Sequence, residues 1–318
     1  MGKPADPDIS IVIPVYDEKE SLEDLVSAIL AVMRPLGRSF EILIVDDGST
    51  DGSGTILGRL AGRTPELCPV LLGRHFGQSA AMTAGFDHAA GRVIVTMDGD
   101  LQNDPADIPA LIDRLESGFD LVCGWRKHRK DPFFSRRVPS TVASWIISRA
   151  TGIRLHDYGC TLKAFRSEVV EGMHLYSDLH RLVPVLVSME WGRITELPVA
   201  HHPRTRGKSK YGMGRTGRVI IDLLLLLFFQ KFATRPLRLF GMGGLALFGT
   251  GALLATYLST LRIFFLQPLA DRPLLLLAVL LMITGVVLFG IGLLAELVMR
   301  AYYESSGKPI YTVRKERK

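Results

Sequence analysis

Between Arg238 and Arg262 the chain carries no charged side chain, and between Arg272 and Glu296 it carries none again. Each stretch is about 23 residues, roughly 34 Å as α-helix, which suffices to cross the hydrocarbon core of a bilayer. Backbone in that environment must satisfy its own hydrogen bonds. The pattern therefore predicts two transmembrane helices, about 239–261 and 273–297, joined by a short loop. It also explains how 47% hydrophobic residues coexist with 22% charged ones: the apolar residues are concentrated near the C-terminus.

Basic residues orient the pair. Lys208, Lys210, Arg215, Arg218, Lys231, Arg235 and Arg238 precede the first span, and Arg300, Lys308, Arg314, Lys315, Arg317 and Lys318 follow the second. Only Arg262 and Arg272 mark the loop between them. The positive-inside rule then expects a multi-pass protein of the inner (cytoplasmic) membrane, with the N-terminal part and both termini in the cytoplasm. Three scattered cysteines, Cys68, Cys123 and Cys160, give neither a disulfide framework nor a metal-binding spacing and agree with a reducing compartment. The first eight residues lack an apolar core, so no cleavable signal peptide is expected. Val219 to Phe229 is apolar except for Asp222 but too short to span, and reads as a helix lying at the membrane interface.

Upstream, apolar runs alternate with helical patterns. Strands are predicted at Ile9–Val15, Phe40–Val45, Val70–Leu72 and from Val93, and again at Phe119–Cys123. Helices are predicted from Ser21, as N-cap, to Met33, over Ser53–Ala61, over Gln78–Ala90, and from about Arg136 to Ala150. This alternation implies a mostly parallel sheet with ligands at the C-terminal strand ends. The first four strands end in Tyr16-Asp17-Glu18, Asp46-Asp47-Gly48-Ser49, Gly73-Arg74-His75-Phe76-Gly77 and Asp98-Gly99-Asp100-Leu101-Gln102. All four polar clusters are thus expected on one rim. Gly99 is expected to turn the backbone sharply so that Asp98 and Asp100 face one point. Two carboxylates and the Gln102 amide oxygen are hard ligands suited to Mg2+ or Mn2+; the plainer reading of D-x-D alone is a polar turn before the next helix.

Two glycine patterns are decoys. Gly212-Met213-Gly214-Arg215-Thr216-Gly217 fits G-x-G-x-x-G but follows no strand directly, and Gly52-Ser53-Gly54 comes after a long acidic turn. A dehydrogenase is a poor fit.

The four rim loops, together with Asp157-Tyr158-Gly159-Cys160 and Arg204-x-x-Gly207-x-Ser209-Lys210, resemble family 2 glycosyltransferases of GT-A fold. The resemblance is to the polyprenyl-phosphate glycosyltransferases (dolichyl-phosphate-mannose-synthase-like), and it covers the whole chain. Two departures are His75, where the family usually has Asn, and Gly99, where Ala is commoner. Neither removes a metal ligand.

The resemblance implies an α/β, Rossmann-like GT-A catalytic domain over 1–211, an interfacial region over 212–237, the two spans within 238–300 and a basic tail over 301–318. It implies that Pro14, Tyr16 and Glu18 surround the base and ribose of a nucleotide-sugar, with Asp46 or Asp47 accepting a hydrogen bond from it. Asp98, Asp100 and Gln102 would bind the divalent ion, Asp98 thereby contacting the donor, and Arg204 and Lys210 would clamp its diphosphate. Arg126, Arg136, with Arg137 its rival, and Ser140 would bind the phosphate of a polyprenyl acceptor. Cations are needed there, since like unit charges at ~5 Å and an effective dielectric of ~20 repel by about 3 kcal/mol. A phosphate monoester, with a second pKa of about 6, is already nucleophilic at neutral pH. No dedicated base is therefore required, and Asp157 is the candidate if one exists; a contact to the donor sugar or a structural role are its other readings.

The expected activity is inverting transfer of a sugar, as UDP-hexose, to undecaprenyl phosphate. The alternatives are a GDP-mannose-using dolichyl-phosphate mannose synthase, a processive polysaccharide synthase, and a non-catalytic scaffold. A processive enzyme would want more spans and a Q-x-x-R-W motif, which this chain lacks, and a scaffold needs none of the rim residues. The net charge of +6 is assigned to phosphates and lipid headgroups, not to nucleic acid. Assembly through the membrane helices is what the resemblance suggests about oligomers.

Overall fold

A computed structural model describes residues 7–127, 144, 147–149, 151–171, 173, 175, 180, 182–190, 192–203, 236–266 and 273–306. The chain separates into two compact units, Met1–Leu224 and Leu225–Lys318. The expected helix at Val219 to Phe229 lies outside the described residues, as does most of the one from Arg136, of which Ser144, Ile147–Arg149 and Thr151 are helical.

The first unit is built on one sheet of seven strands: β1 (Ile9–Val15), β2 (Phe40–Asp46), β3 (Leu67–Leu71), β4 (Val93–Thr96), β5 (Leu121–Trp125), β6 (Lys163–Arg166) and β7 (Ile194–Pro198). Their spatial order is β3-β2-β1-β4-β6-β5-β7. Strands β1 to β4 are mutually parallel where they pair, and β5 runs parallel to β7. Strand β6 is antiparallel to both β4 and β5.

The sheet is thus mostly parallel, as expected, and its one reversed strand matters for the site. Lys163, the first residue of β6, pairs with Thr96, the last of β4, so the segment entering β6 meets the segment leaving β4. The turn 157–161 is thereby delivered to the rim that carries the D-G-D loop.

Around the sheet lie α1 (Leu22–Met33), α2 (Ser53–Ala61), α3 (Gln78–His88), α4 (Ile108–Glu116) and the short α5 (Ser167–Val170) and α6 (Val183–Glu190). Helix α1 buries Leu22, Leu25, Val26, Ile29 and Met33, one stripe at helical spacing. These side chains meet Ile9, Ile11, Ile13, Ile42 and Ile44 of β1 and β2 in one core with Ile108, Leu111, Ile112 and Leu115 of α4. Full burial of each is worth about 1.5–3 kcal/mol of transfer free energy. At the sheet's opposite end, Ser10 Oγ donates to buried Glu41 (2.6 Å), and Glu41 and Ser10 accept the amides of Ala90 and Gly91 (2.8 Å each). This network fixes the turn into β4, and so the register with which β4 delivers Asp98.

In the second unit, α7 (Pro236–Phe265) and α8 (Pro273–Ser306) are both long and apolar enough to cross a membrane. They meet along a glycine seam. A Cβ on Gly244 would lie 2.6 Å from the Gly285 carbonyl oxygen, and one on Gly251 2.7 Å from that of Ala278. A Cβ on Gly285 would lie 2.6 Å from the Phe248 amide nitrogen, and one on Gly292 2.9 Å from Phe240 Cβ. Small residues let backbones approach where no hydrophobic effect drives helices together. Thr250, Thr256 and Thr260 donate their hydroxyls to carbonyls one turn back, at 2.8–2.9 Å, which satisfies them without water.

Candidate active site

Pro14, Tyr16, Glu18, Asp46, Asp47, Asp98, Asp100, Gln102, Arg126 and Asp157 all fall at or beyond the strand ends on one rim. Arg136, Arg137, Ser140, Arg204 and Lys210 lie outside the described residues.

The first three loops are knitted together by side chains. Asp17, at φ 46°, accepts the Thr50 amide (2.8 Å) and its own amide donates to Ser49 Oγ (2.8 Å). Asp47 is buried and accepts the amides of Phe76 (2.7 Å) and Gly77 (2.8 Å). His75 Nδ1 stands 2.8 Å from the same carboxylate, and its ring stacks on Tyr16 with centroids 4.1 Å apart. Asp47 therefore acts on the 75–77 loop, and Asp46 accepts the Ser49 amide (3.0 Å). Gly48, at φ +70°, admits the Arg74 backbone where a Cβ would stand 2.3 Å from its carbonyl carbon. His75 thus lies on the rim as expected, and its contacts to Asp47 and Tyr16 are what the structure adds.

Gly99 begins the bend 99–101, in which Leu101, at φ 60°, is the left-handed residue. A Cβ on Gly99 would lie 2.6 Å from Val15 Cγ1, so its role is close approach to β1. Ser21 precedes α1 but its hydroxyl makes no cap; it donates to the carbonyls of Glu18 and Gly99 (2.9 Å each), tying the first loop to the D-G-D loop.

Asp98 and Asp100 are both partly exposed. Asp98 Oδ1 accepts from Gln78 Nε2 (3.0 Å), and Oδ2 accepts from Thr161 Oγ1 (2.6 Å). Asp100 accepts the Gln102 amide (3.1 Å), and Gln102 Nε2 donates to the His202 carbonyl (3.4 Å). Among the described residues no three His, Cys, Asp or Glu side chains form a metal cluster. Two carboxylates and an amide oxygen fit an ion that keeps waters and takes phosphate oxygens as its remaining ligands, which is the habit of Mg2+ and Mn2+.

Arg126, just past β5, donates from Nε and Nη2 to the two oxygens of Asp157 (2.7 and 3.0 Å). The Arg126 side chain is 13% exposed and that of Asp157 4%. Burial alone would favour discharging the guanidinium, but the paired bond to Asp157, with attraction from Asp98, more than reverses it and keeps Arg126 charged. Asp157 also accepts the Gly159 amide (3.1 Å). This geometry favours the structural reading of Asp157 over a base. On the far side of the rim, His201 bridges to Asn103 and the His202 amide donates to the Gln102 carbonyl (2.9 Å). The segment leading to Arg204 therefore departs beside the D-G-D loop.

Thr161, Gln78 and Asn103 are the rim residues that the sequence analysis did not single out. Their only signal was adjacency to motifs: Thr161 follows D-Y-G-C, Gln78 follows G-R-H-F-G and Asn103 follows D-G-D-L-Q.

The family model for glycosyl transferase family 2 matches residues 10–173. The chain is 42% identical to the dodecaprenyl-phosphate galacturonate synthase of Rhizobium johnstonii, over 96% of this chain and 92% of that protein. It is 40% identical to the undecaprenyl-phosphate 4-deoxy-4-formamido-L-arabinose transferase of Pseudomonas paraeruginosa, over 96% of this chain and 89% of that one. Among solved structures, glucosyl-3-phosphoglycerate synthase from Mycobacterium tuberculosis, in complex with Mn2+, UDP and phosphoglyceric acid, aligns over 70% of this chain and 78% of its own. Its TM-score is 0.56 at 17% identity. A mannosyltransferase from Pyrobaculum calidifontis, in complex with GDP-Man and Mn2+, aligns over 96% and 77% with TM-score 0.51 at 18% identity. Those likenesses give the GT-A type of fold. From the family match and the near-full-length relatives together, the chain belongs to glycosyl transferase family 2 and is a glycosyltransferase.

Proposed function

We propose that the protein transfers a single sugar from a nucleotide-sugar, of the UDP-hexose class, to undecaprenyl phosphate or a similar polyprenyl phosphate, inverting the anomeric centre. The observation that carries this reading is the turn 157–161. Its first residue holds the buried cation Arg126 and its last holds the carboxylate Asp98. That juxtaposition supports a site for a negatively charged nucleophile beside one for a diphosphate. The names of the relatives agree on a polyprenyl-phosphate acceptor and differ in the sugar.

Asp98, Asp100 and Gln102 are the residues that would hold Mg2+ or Mn2+, which supplies charge neutralisation for a departing diphosphate. Tyr16 with His75, Pro14 and Glu18 would line the nucleoside, with Asp46 or Asp47 behind them. Arg204 and Lys210 would clamp the diphosphate. Arg126, with Arg136 or Arg137 and Ser140, would hold the acceptor phosphate, whose own oxygen attacks. Asp157 would orient Arg126 and accept no proton. The catalytic domain and both chain ends would be cytoplasmic, with α7 and α8 spanning the inner membrane.

The test is a donor screen on detergent-solubilised protein with Mn2+ or Mg2+ and undecaprenyl phosphate, offering UDP-, GDP- and dTDP-sugars. Mass spectrometry should find one glycosyl-phosphoryl-lipid with a single phosphate, abolished by EDTA. Nucleotide release without lipid product would refute the acceptor.

A further inference from the structure

We infer that Thr161 and Gln78 are positioning residues for the divalent ion: they fix both oxygens of Asp98, so that this carboxylate is oriented before any ion arrives. The inference rests on the reading of Asp98 as a metal ligand.

Hydrogen-bond direction carries the argument. Asn103 Nδ2 donates to Thr161 Oγ1 (3.0 Å), and an amide nitrogen can only donate. The Thr161 hydroxyl has one proton, and with a lone pair taken by Asn103 that proton is directed to Asp98 Oδ2 (2.6 Å). Thr161 is itself fixed, because its carbonyl accepts the hydroxyl of Thr96, the last residue of β4 (2.6 Å). The other oxygen, Oδ1, is held by Gln78, the first residue of α3 (3.0 Å). The next residue, Ser79, is buried and bonded to His180 Nδ1 (2.9 Å), so the first turn of α3 is held in turn.

Donors from two separate elements thus converge on one carboxylate. Each carboxylate oxygen has a second lone pair, so accepting these bonds leaves a site for coordination. Partners of this kind set ligand orientation, and their removal typically weakens metal affinity about 10–100-fold. A merely structural tie would change stability and leave ion affinity alone.

The experiment is a Mn2+ titration of the full-length protein in detergent, followed by electron paramagnetic resonance with saturating UDP, beside a thermal melt. Thr161→Val and Gln78→Leu should each weaken Mn2+ binding about 10-fold or more with the melt unchanged, and Thr161→Ser should recover wild-type affinity. If Thr161→Val does not fold, Gln78→Leu carries the test. Mn2+ affinity that falls in Asp100→Ala but is unmoved in both Gln78→Leu and folded Thr161→Val overturns the inference alone. A wild type that binds no Mn2+, or binds it as well after Asp100→Ala, overturns the metal reading and the inference with it.

Discussion

Among the described residues, Arg126 and Asp157 form the one pair at this rim in which both charges are nearly out of water, at 13% and 4% exposure. Removing one member of such a pair leaves an uncompensated buried charge, at about 3–5 kcal/mol. Asp157→Ala should therefore lower the melting temperature and transfer rate together, whereas a catalytic base would lose rate alone. The double variant Arg126→Met/Asp157→Leu separates the roles further. It should regain most of the stability but little transfer, since the proposed acceptor site then lacks its Arg126 cation. Thermal melts and initial rates on the same preparations check both statements. The cysteines probe the core in a similar way. Burial pushes the Cys123 thiol up to about 12 and raises that of Cys160, and both are fully covered. Iodoacetamide at pH 8 should spare both in the folded protein and reach all three cysteines after denaturation. Peptide mass mapping reads the result, and native labelling of Cys123 would contradict a β5 covered on both faces.

Elements were legible in the sequence where an apolar run ended in a polar loop. Strands β1 and β2 and helices α1 and α2 follow the pattern, α2 over the expected Ser53–Ala61. Strand β3 begins at Leu67, before the expected Val70, because Pro69 reads as a boundary. A proline is tolerated there because β3 is an edge strand. Helix α3 ends at His88, and β5 is shifted to Leu121–Trp125. Strand β6 escaped altogether: Lys163-Ala164-Phe165-Arg166 is short and charged at both ends, and its insertion between β4 and β5 is a long-range choice. The site divides the same way. Carboxylates and arginines announce themselves, but Gln78 and Thr161 reach Asp98 across 20 and 63 residues of chain. No local pattern encodes that. In the second unit, spacing predicted the two long apolar helices but not the seam between them. Gly244→Leu and Gly285→Leu should lower the aggregation temperature of the solubilised protein, because each adds a side chain against backbone 2.6 Å away. Gly249→Leu and Gly290→Leu, where an added Cβ meets nothing within 4 Å, should leave it unchanged.

At the scale of the whole chain, the proposed acceptor and the two spans make one demand: the rim must open on the side where nucleotide-sugars are made. The charge asymmetry argues for this, with basic clusters before Pro236 and after Met299 and only Arg262 and Arg272 between the spans. A single cysteine is enough to test it, because two of the native thiols are buried. With Cys68 replaced by serine, Gln267→Cys should react with a membrane-impermeant maleimide added to intact cells. Lys318→Cys should react only after permeabilisation. The reverse pattern would turn the rim away from the cytoplasm and remove the nucleotide-sugar reading. Labelling of both in intact cells would mean that α7 and α8 do not form a two-span hairpin at all, and equal protection of both would place the connecting loop on the cytoplasmic side with the ends. The glycine contacts hold α7 and α8 antiparallel and close, so two helices that both span would put Phe265 and Pro273 at one membrane face and Pro236 and Ser306 at the other.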